Sequence, residues 1–265
     1  MAKDASPHFP STDLPFTDLG ATRTVIATNY AFIAPDGHVR TTLPGWQNTQ
    51  IVTLISPRMG AKFHQYIAHM EAGSASGEPL AGVERFIYVV SGKVELVSSG
   101  QSSNLQDDDF AFLPAGTAHG IRSKQGAVLN VYEKRYQPHP EAEAPSMQIG
   151  RSKDVDGEDF LGNPRVQVRK FLPESLSFDM AVNTMTFKPG APLPFVETHV
   201  MEHGMLMVRG SGIYKLADNW HPITQGDALW MGPYCPQWFA AVGNEDACYL
   251  LYKDTNRDPL EPASR

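Results

Sequence analysis

Apolar runs with many β-branched and aromatic residues recur along the chain, and turns rich in Gly, Pro, Ser or Asp separate them. Runs of roughly four to eight such residues between turn formers are typical of β-strands. In the first half the pattern predicts strands at 50–55, 62–70, 86–90, 93–97, 110–113 and 128–132. In the second half it predicts strands at 166–171, 178–187, 205–208, 213–216, 228–231 and 249–252. The chain is therefore expected to be all-β.

Segment 136–165 differs from the sequence on either side, because it is polar and contains Pro138, Pro140, Pro145 and Pro164. Such a composition is typical of a connection between domains. The 265 residues are enough for two domains of ordinary size. We therefore predict an N-terminal domain at 1–140 and a C-terminal domain at 141–265.

The two halves are similar to each other at a constant offset of 118 residues, which places Gly210 on Gly92 and Glu202 on Glu84. Because one offset serves separate segments without a gap, the similarity indicates a duplication. A small β-barrel present twice would explain it, since a closed barrel leaves no unpaired strand edge. The 22 glycines and 21 prolines also favour short elements joined by tight turns.

Charge and cysteine content argue against several classes of function. The net charge of −7 without a basic cluster disfavours nucleic-acid binding. Cys235 and Cys248 form no CxxC pair, so neither a disulfide framework nor a zinc knuckle is predicted. No apolar run reaches the ~18 residues of a membrane span, and no apolar run follows Lys3 as in a signal peptide. We expect a soluble cytoplasmic protein without a nucleic-acid or membrane partner.

Segment 190–203 contains the densest group of candidate metal ligands. Glu197, His199 and His203 share odd parity, so an extended strand would present all three on one side. Two imidazoles and one carboxylate on one side can bind a divalent metal. The alternative is a structural role, because a histidine pair in a strand-rich chain is often part of the core.

A second motif overlaps this group of ligands. Residues 199–203 read His-Val-Met-Glu-His, which matches H-x-x-E-H, a zinc-protease signature that requires a helix. Pro192 and Pro194 precede the motif, and Gly204 and Gly210 follow it. Gly costs about 1 kcal/mol and Pro ~3 kcal/mol in a helix interior, so the protease interpretation is disfavoured.

The same segment resembles the first cupin motif, which runs Gly, five residues, His-x-His, three or four residues, Glu, six residues, Gly. The matching residues here are Gly190, Glu197, His199, His203 and Gly210. The second cupin motif runs Gly, five residues, Pro-x-Gly, two residues, His. Its counterparts are Gly226, Gly232, Tyr234 and Gln237. The resemblance implies a bicupin, with two tandem cupin barrels of the double-stranded β-helix or jelly-roll type.

An exchange of ligand positions makes the resemblance more specific. Where cupins usually have three His and one Glu, this chain has Glu197, His199, His203 and Gln237. That set is similar to the (S)-ureidoglycine aminohydrolases of purine and allantoin breakdown, and the similarity covers nearly the whole chain. The resemblance implies that these four residues bind Mn²⁺ and that the substrate is a small molecule, ureidoglycine.

The same resemblance points to three further active-site residues. Positions that match Tyr214, Tyr249 and Lys253 lie against the substrate in that family, and all three residues are present here. Lys253 is the leading candidate for proton transfer, with a tyrosine hydroxyl second. Without the resemblance, both tyrosines would be interpreted as barrel core and Lys253 as a rim residue. Bicupins commonly assemble, so a homo-oligomer is expected.

The chemistry of the ligand set favours manganese. Two imidazoles, one carboxylate and one amide oxygen suit Mn²⁺ better than a sulfur-rich set would. One carboxylate against a dication leaves a charge of about +1, which should attract an anionic substrate. The ion would polarise and orient the substrate while ammonia leaves and water adds to one face, giving (S)-ureidoglycolate.

The N-terminal copy lacks this ligand set. The offset places Pro79, Ala81, Arg85 and His119 at the four ligand positions. Pro and Ala side chains cannot bind a metal, and Arg is itself a cation. We therefore predict one metal ion per chain, a structural role for His119, and an N-terminal half that supports the C-terminal one.

Two other classes of function stay open at this point. The cupin barrel hosts many chemistries, so an oxygenase or isomerase that uses iron or another metal is one of them. A non-catalytic sugar- or ligand-binding bicupin is the other, although Lys253 beside an intact ligand set argues against it. Metal analysis, an oxygen-uptake assay and an ammonia-release assay distinguish these classes.

Overall fold

The computed structural model describes residues 22–260, which form β-strands, loops and three single-turn 3-10 helices. The all-β expectation is confirmed, because no α-helix occurs in these residues. Within the same range, no helix has the length and apolar character that crossing a membrane requires.

The strands of the first half are β1 (Val25–Ile26), β2 (Tyr30–Ile33), β3 (Arg40–Thr41), β4 (Trp46–Ile55), β5 (His64–Ser76), β6 (Val83–Ser98), β7 (Gln101–Gln106), β8 (Asp109–Leu113), β9 (His119–Ser123) and β10 (Ala127–Arg135). Those of the second half are β11 (Gln148–Arg151), β12 (Glu158–Phe160), β13 (Asn163–Lys170), β14 (Met180–Phe187), β15 (His203–Arg209), β16 (Ser211–Leu216), β17 (Asn219–Thr224), β18 (Ala228–Met231), β19 (Gln237–Ala241) and β20 (Ala247–Asp254).

The first sheet contains nine strands and belongs mainly to the first half. Its main path runs β11-β8-β6-β10-β5-β4-β3, with β7 paired to β6. Strand β9 pairs with both β5 and β6, so the sheet folds back over its own face. The enclosed interior is apolar and includes Tyr66, Leu96 and Ile121, all almost fully buried.

The second sheet has eight strands, mainly from the second half, in the order β1-β2-β18-β15-β20-β14-β13-β12. A separate three-stranded sheet has the order β17-β16-β19. Alternate residues of these strands point inward, as the pleat of a strand requires. Met205, Tyr214 and Phe239 are among the residues of their shared apolar interior. Met185 and Leu251 of this interior also line the cavity that contains three of the candidate ligands, Glu197, His199 and His203.

Three strands cross between the halves. Strands β1 and β2 precede all strands of the first sheet, yet β2 pairs with β18, where Phe32 lies opposite Leu229, and β1 pairs with β2. Strand β11 follows residue 140, yet it pairs with β8, where Ile149 lies opposite Ala111. Each half therefore supplies a strand to the sheet of the other. A domain boundary at residues 140–141 remains a prediction.

One local expectation was wrong. Segments 86–90 and 93–97 were expected to be separate strands, but β6 continues through Gly92, which has a φ of 89°. A Cβ at Gly92 would lie 2.5 Å from Gly126 O, so only glycine allows this close strand crossing. Segment 136–165, which is predicted to connect the two domains, contains β11, β12 and the start of β13.

A third apolar core joins the two halves. The ring centroid of Phe63 lies 4.1 Å from that of Tyr252, and the centroid of Tyr132 lies 5.3 Å from the same ring. Further along the interface, the Phe110 and Phe171 rings stack at 4.4 Å. Aromatic pairs at these distances stabilise an interface beyond their buried area. The two halves are therefore held together by a shared hydrophobic core.

Candidate metal centre and catalytic cavity

A loop fixed to β19 positions the first two candidate ligands. Glu197 N donates to Gln237 O at 2.8 Å, and Gln237 N donates to Glu197 O at 3.0 Å. Tyr234 N donates to His199 O at 2.7 Å. The expectation that one regular strand carries 197, 199 and 203 was wrong, because only His203 belongs to a strand, at the start of β15. The helix that a zinc-protease motif requires is absent from 199–203 as well.

Three of the predicted ligand side chains meet in this structure. His199 Nε2 lies 3.1 Å from His203 Nε2, and Gln237 Nε2 lies 3.1 Å from His199 Nε2. The Gln237 Oε1 atom accepts a hydrogen bond of 3.2 Å from Tyr214 Oη. Because the oxygen and nitrogen of an amide exchange places by rotation, Gln237 can offer either atom to the centre.

Hydrogen bonds on the far side of each ring define which nitrogen faces the centre. His199 Nδ1 donates to Met201 O at 3.1 Å, and His203 Nδ1 donates to Tyr252 O at 3.3 Å. Both Nε2 atoms are then unprotonated and present lone pairs toward each other. Burial lowers the pKa of His199, and it lowers the pKa of His203 to about 3, so both rings stay neutral. Two neutral imidazoles with facing lone pairs fit a metal cation.

The carboxylate of Glu197 lines the same cavity as the two histidines. Burial raises its pKa, while the nearby Lys253 opposes that effect. In the described residues, no three His, Cys, Asp or Glu side chains are already gathered as tightly as a metal site requires. The contacting set is instead His199, His203 and the amide of Gln237. These donors fit a divalent ion once the Glu197 carboxylate joins them.

The cavity has a volume of about 700 Å³ and opens between β12, β13, β14, β15 and β20. That volume is ample for a small organic acid. Its wall combines apolar side chains with a few polar ones near the candidate ligands. The polar and charged residues include Glu158, Asp159, Lys170, Glu174, Asn183, Glu197, His199, His203, Lys253, Thr255 and Asn256.

Strand β20 places Lys253 directly beside the candidate centre. Lys253 lies opposite His203 on one side and opposite Ala181 on the other. Its side chain lines the cavity. Burial lowers the pKa of Lys253, and Lys170 adds to the effect by repulsion, while Glu174 and Glu197 oppose it. Burial is therefore the largest cause of the lowered Lys253 pKa.

The two predicted tyrosines lie deeper than the cavity wall. Tyr249 Oη donates to Met185 Sδ at 3.2 Å, and the Tyr249 and Tyr214 ring centroids are 6.5 Å apart. Neither ring is among the residues that line the cavity. Burial raises the pKa of both hydroxyls well above the usual tyrosine value. The structure thus joins Tyr214 to Gln237 and leaves direct contact between the tyrosines and a substrate as a prediction.

A charged group at the cavity mouth was not predicted from the sequence. Lys170 Nζ lies 2.9 Å from Glu158 Oε2 and 3.1 Å from Glu174 Oε1. These pairs connect β13 with β12 and with the loop after β13, so they hold the rim of the cavity together. Lys170 and Glu174 are four residues apart but lie in no helix, so their spacing gave no signal.

The N-terminal half contains a guanidinium where the C-terminal half has its candidate metal site. Arg85 Nη1 donates to His119 Nε2 at 3.0 Å and to Gly77 O at 2.8 Å. Arg85 Nη2 also lies 2.7 Å from Glu133 Oε1. His119 Nδ1 donates to Thr117 O at 2.7 Å, so its Nε2 lone pair faces the arginine. In this half a side-chain cation therefore satisfies the inward-facing imidazole nitrogen.

The chain is similar to known proteins over most of its length. A family model described as "Cupin domain" matches residues 66–132. The (S)-ureidoglycine aminohydrolase of Arabidopsis thaliana is 41% identical over 251 residues, which is 94% of this chain and 82% of that protein. The (S)-ureidoglycine aminohydrolase of Escherichia coli K12 is 34% identical over 247 residues, 91% of this chain and 94% of that protein.

Among solved structures, protein Ylba from E. coli superimposes with a TM-score of 0.81 at 31% identity, and the match covers 92% of this chain and 98% of that one. The similarity in sequence and structure extends through both halves. It confirms the predicted all-β cupin fold. The Cupin domain match falls on the first half, whereas the candidate metal centre lies in the second.

Proposed function

Because this chain belongs to the (S)-ureidoglycine aminohydrolase family of cupin enzymes, we propose that it hydrolyses (S)-ureidoglycine to (S)-ureidoglycolate and ammonia. We further propose that it uses Mn²⁺ in the C-terminal cavity. The observation that carries the proposal is the shared placement of Glu197, His199, His203 and Lys253 on one cavity, with Gln237 in contact with His199.

Four residues would hold the ion. His199 and His203 offer their Nε2 atoms, Glu197 offers a carboxylate, and Gln237 offers an amide oxygen. This mixture of nitrogen and hard oxygen donors without sulfur suits Mn²⁺. When bound, the ion supplies Lewis-acid polarisation and a fixed orientation for the substrate.

Lys253 is the residue we assign to proton transfer. Because burial lowers the pKa of its ammonium group, the neutral amine is more accessible near neutral pH than it is for an exposed lysine. In the reaction, the bond between the α-carbon and the amino nitrogen breaks, and ammonia leaves with the electron pair. A water molecule forms the new C–O bond and gives up one proton. Lys253 donates to the leaving nitrogen and accepts the proton from the water.

Tyr214 acts in this scheme as a positioning residue for Gln237. Its hydroxyl donates to Gln237 Oε1 at 3.2 Å, and when the amide is turned to offer Oε1 to the ion, the same hydroxyl accepts from Nε2. The Tyr214 ring is buried. Tyr249 packs beside Tyr214 and contacts Met185, which also lines the cavity. Both tyrosines therefore support, from behind the cavity wall, the side chains of Gln237 and Met185.

An ammonia-release assay on freshly generated (S)-ureidoglycine tests the proposal, with metal-free and Mn²⁺-loaded enzyme compared. We expect release that depends on Mn²⁺ and a product that is (S)-ureidoglycolate. Allantoate should release little ammonia, because it is larger and must lose carbon dioxide as well. Absence of ammonia release from the Mn²⁺-loaded enzyme would contradict the proposed reaction, and a racemic product would contradict a fixed substrate orientation.

A further inference from the structure

One polar side chain in the cavity has no role in the reaction scheme so far. Asn183 lies on β14, is only 6% exposed, and lines the cavity. Within residues 22–260, its amide makes no hydrogen bond to another side chain or to the main chain. By contrast, the Asn256 amide at the same cavity donates to Ser175 O and Phe178 O, both at 2.9 Å. The Asn183 amide is therefore free to bind a ligand.

The fold directs Asn183 toward the candidate centre. Asn183 lies opposite Leu251 of β20 and opposite Lys170 of β13. Leu251, which lies opposite Asn183, is two residues from Lys253 on β20, and side chains two residues apart share a face of a strand. Asn183 and Lys253 therefore line the same interior surface. They are diagonal neighbours across one antiparallel strand pair, for which Cβ atoms are roughly 7–8 Å apart.

That separation matches a small molecule with a polar group at each end. The Asn183 amide faces the cavity and makes no hydrogen bond within the described protein, so a ligand can supply a partner for both of its polar atoms. A carboxamide carries one acceptor and one NH₂ donor, and a ureido group carries the same pair in complementary order. A carboxylate held near Lys253 and the metal ligands would leave the ureido end of the molecule within reach of Asn183.

We propose that Asn183 binds the ureido group of the substrate and sets the preference of the cavity for ureido acids. The proposal rests on the proposed function of this cavity. In it, Asn183 Oδ1 accepts a hydrogen bond from the terminal NH₂ of the ureido group, while Asn183 Nδ2 donates to its carbonyl oxygen. Asn183 acts as a specificity residue and takes no part in proton transfer.

Two stable probes isolate this contact. N-carbamoylglycine carries a ureido group, and N-acetylglycine replaces the terminal NH₂ by a methyl group of similar size. Calorimetry on the Mn²⁺-loaded enzyme measures the binding of each. We expect the wild type to bind N-carbamoylglycine about tenfold more tightly, because the methyl group leaves Asn183 Oδ1 without a donor.

The Asn183→Leu variant keeps the side-chain size and removes the amide, and Asn183→Ala serves as a second variant in case leucine disturbs the wall. Both should bind the two probes within about twofold of each other. Thr184→Val is the matched control, because Thr184 is the next residue of β14 and points to the opposite face. Thr184→Val should keep the wild-type ratio. Circular dichroism and metal content show that each variant is folded and loaded.

Kinetics with (S)-ureidoglycine complete the test. Asn183→Leu should raise KM about tenfold with a smaller effect on kcat, since a contact made equally in ground and transition state affects binding alone. A wild-type probe ratio near one, or a ratio unchanged in both Asn183 variants, would overturn the role of Asn183. A wild type that releases no ammonia would instead overturn the reaction itself, and the probe ratio would still be measurable.

Discussion

At the scale of single residues, the two halves place different groups next to an inward-facing imidazole nitrogen. The imidazole belongs to His203 in the second half and to His119 in the first. In the second half, His203 pairs across the strands with Lys253, and its Nε2 faces His199. In the first half, Arg85 occupies the position of His203 and pairs with Glu133. A permanent side-chain cation at this position disfavours a metal ion in the first half by charge and by volume. We therefore predict one metal site per chain, in the second half.

The first prediction compares a histidine from each half. His203→Ala should lose bound manganese and reduce kcat/KM at least ~100-fold, since a Lewis-acid metal contributes several kcal/mol to catalysis. His119→Ala should retain one manganese per chain and most of the activity. It should cost only about 1–3 kcal/mol of stability, the penalty of leaving a hydrogen-bonding group of Arg85 unpaired.

Metal content by atomic absorption and ammonia release on the same preparations provide the measurement. Two manganese ions per wild-type chain, or loss of metal in His119→Ala with the fold intact, would contradict the assignment to the second half.

The second prediction concerns Lys253. If the residue only attracts the substrate carboxylate, Lys253→Arg should retain much of the activity because the charge is kept. We expect instead that Arg fails nearly as badly as Met, because a guanidinium does not deprotonate near neutral pH. The loss in kcat should be about 10²–10⁴-fold, as for removal of a general acid or base.

Manganese content must match the wild type in both Lys253 variants for the comparison to hold. An Arg variant with kcat close to that of the wild type would reduce Lys253 to an electrostatic anchor. Proton transfer would then belong to Tyr214, Tyr249 or water.

At the scale of elements, strand β6 contributes a buried carboxyl group to the junction between the halves. Both oxygens of Glu84 and the Oδ1 atom of Asp179 are buried without a hydrogen-bond donor, while Lys134 Nζ lies 2.9 Å from Asp179 Oδ2. Burial raises the pKa of Glu84 far above the usual carboxyl value, and Asp179 adds to the effect, while Lys134 and Arg257 oppose it. A proton on Glu84 supplies the donor that Asp179 lacks.

The third prediction follows from the sign of this shift. The folded state binds a proton on Glu84 that the unfolded state releases above its ordinary carboxyl pKa. Stability is therefore greatest below that pKa and declines as pH rises toward the raised folded value. The glutamine of Glu84→Gln is always neutral and can donate to Asp179. The substitution should therefore remove the part of the decline in unfolding free energy that Glu84 causes.

Urea unfolding at pH 5, 7 and 9 measures the effect. The free energy of unfolding of Glu84→Gln should exceed that of the wild type by a margin that grows with pH. The exposed Glu71→Gln is the control and should follow the wild-type curve. Parallel curves for wild type and Glu84→Gln would show that Glu84 is ionised in the folded protein.

At the scale of the whole molecule, the exchange of β2 and β11 makes each half depend on the other. Arg23, just before β1, forms two hydrogen bonds to the fully buried Asp227, from Nη1 to Oδ2 at 3.1 Å and from Nη2 to Oδ1 at 2.7 Å. Tyr30 and Phe32 pack in the interior of the second half. The candidate active site is therefore built on a sheet that the start of the described chain completes.

The fourth prediction is that residues 141–265 do not fold as a stable domain alone. Such a fragment would expose the edge of β18 and the apolar face that packs against Phe63 and Tyr132 in the whole chain. Exposed apolar surface and an unpaired edge both promote association of partly folded chains. We expect a broad thermal transition in circular dichroism and strong binding of a hydrophobic dye.

Coexpression with residues 1–140 is the matched control and should restore a cooperative transition and manganese binding. A sharp transition in the isolated fragment, close to that of the full chain, would show that the second half folds without β2.

Much of this protein was predictable from local sequence. Turn residues and β-branched runs located most strands, because these preferences act within a few residues. The offset between Gly92 and Gly210 identified the duplication, and both glycines have positive φ beside a crossing strand. The spacing of Glu197, His199, His203 and Gln237 indicated the ligand set through resemblance to a family.

The sequence by itself determined the all-β class, through residue type and short spacing, and the repeat, through residues that match at a constant offset. It also indicated the candidate metal ligands, through resemblance to a family. Only the tertiary structure decided that β2 and β11 change sheets, that Arg85 occupies the degenerate site, and that Asn183 shares a surface with Lys253. These facts depend on pairing between strands that are distant in sequence. Burial follows from the same packing, and it lowers the pKa of Lys253. The tertiary structure therefore also determines how readily Lys253 gives up a proton.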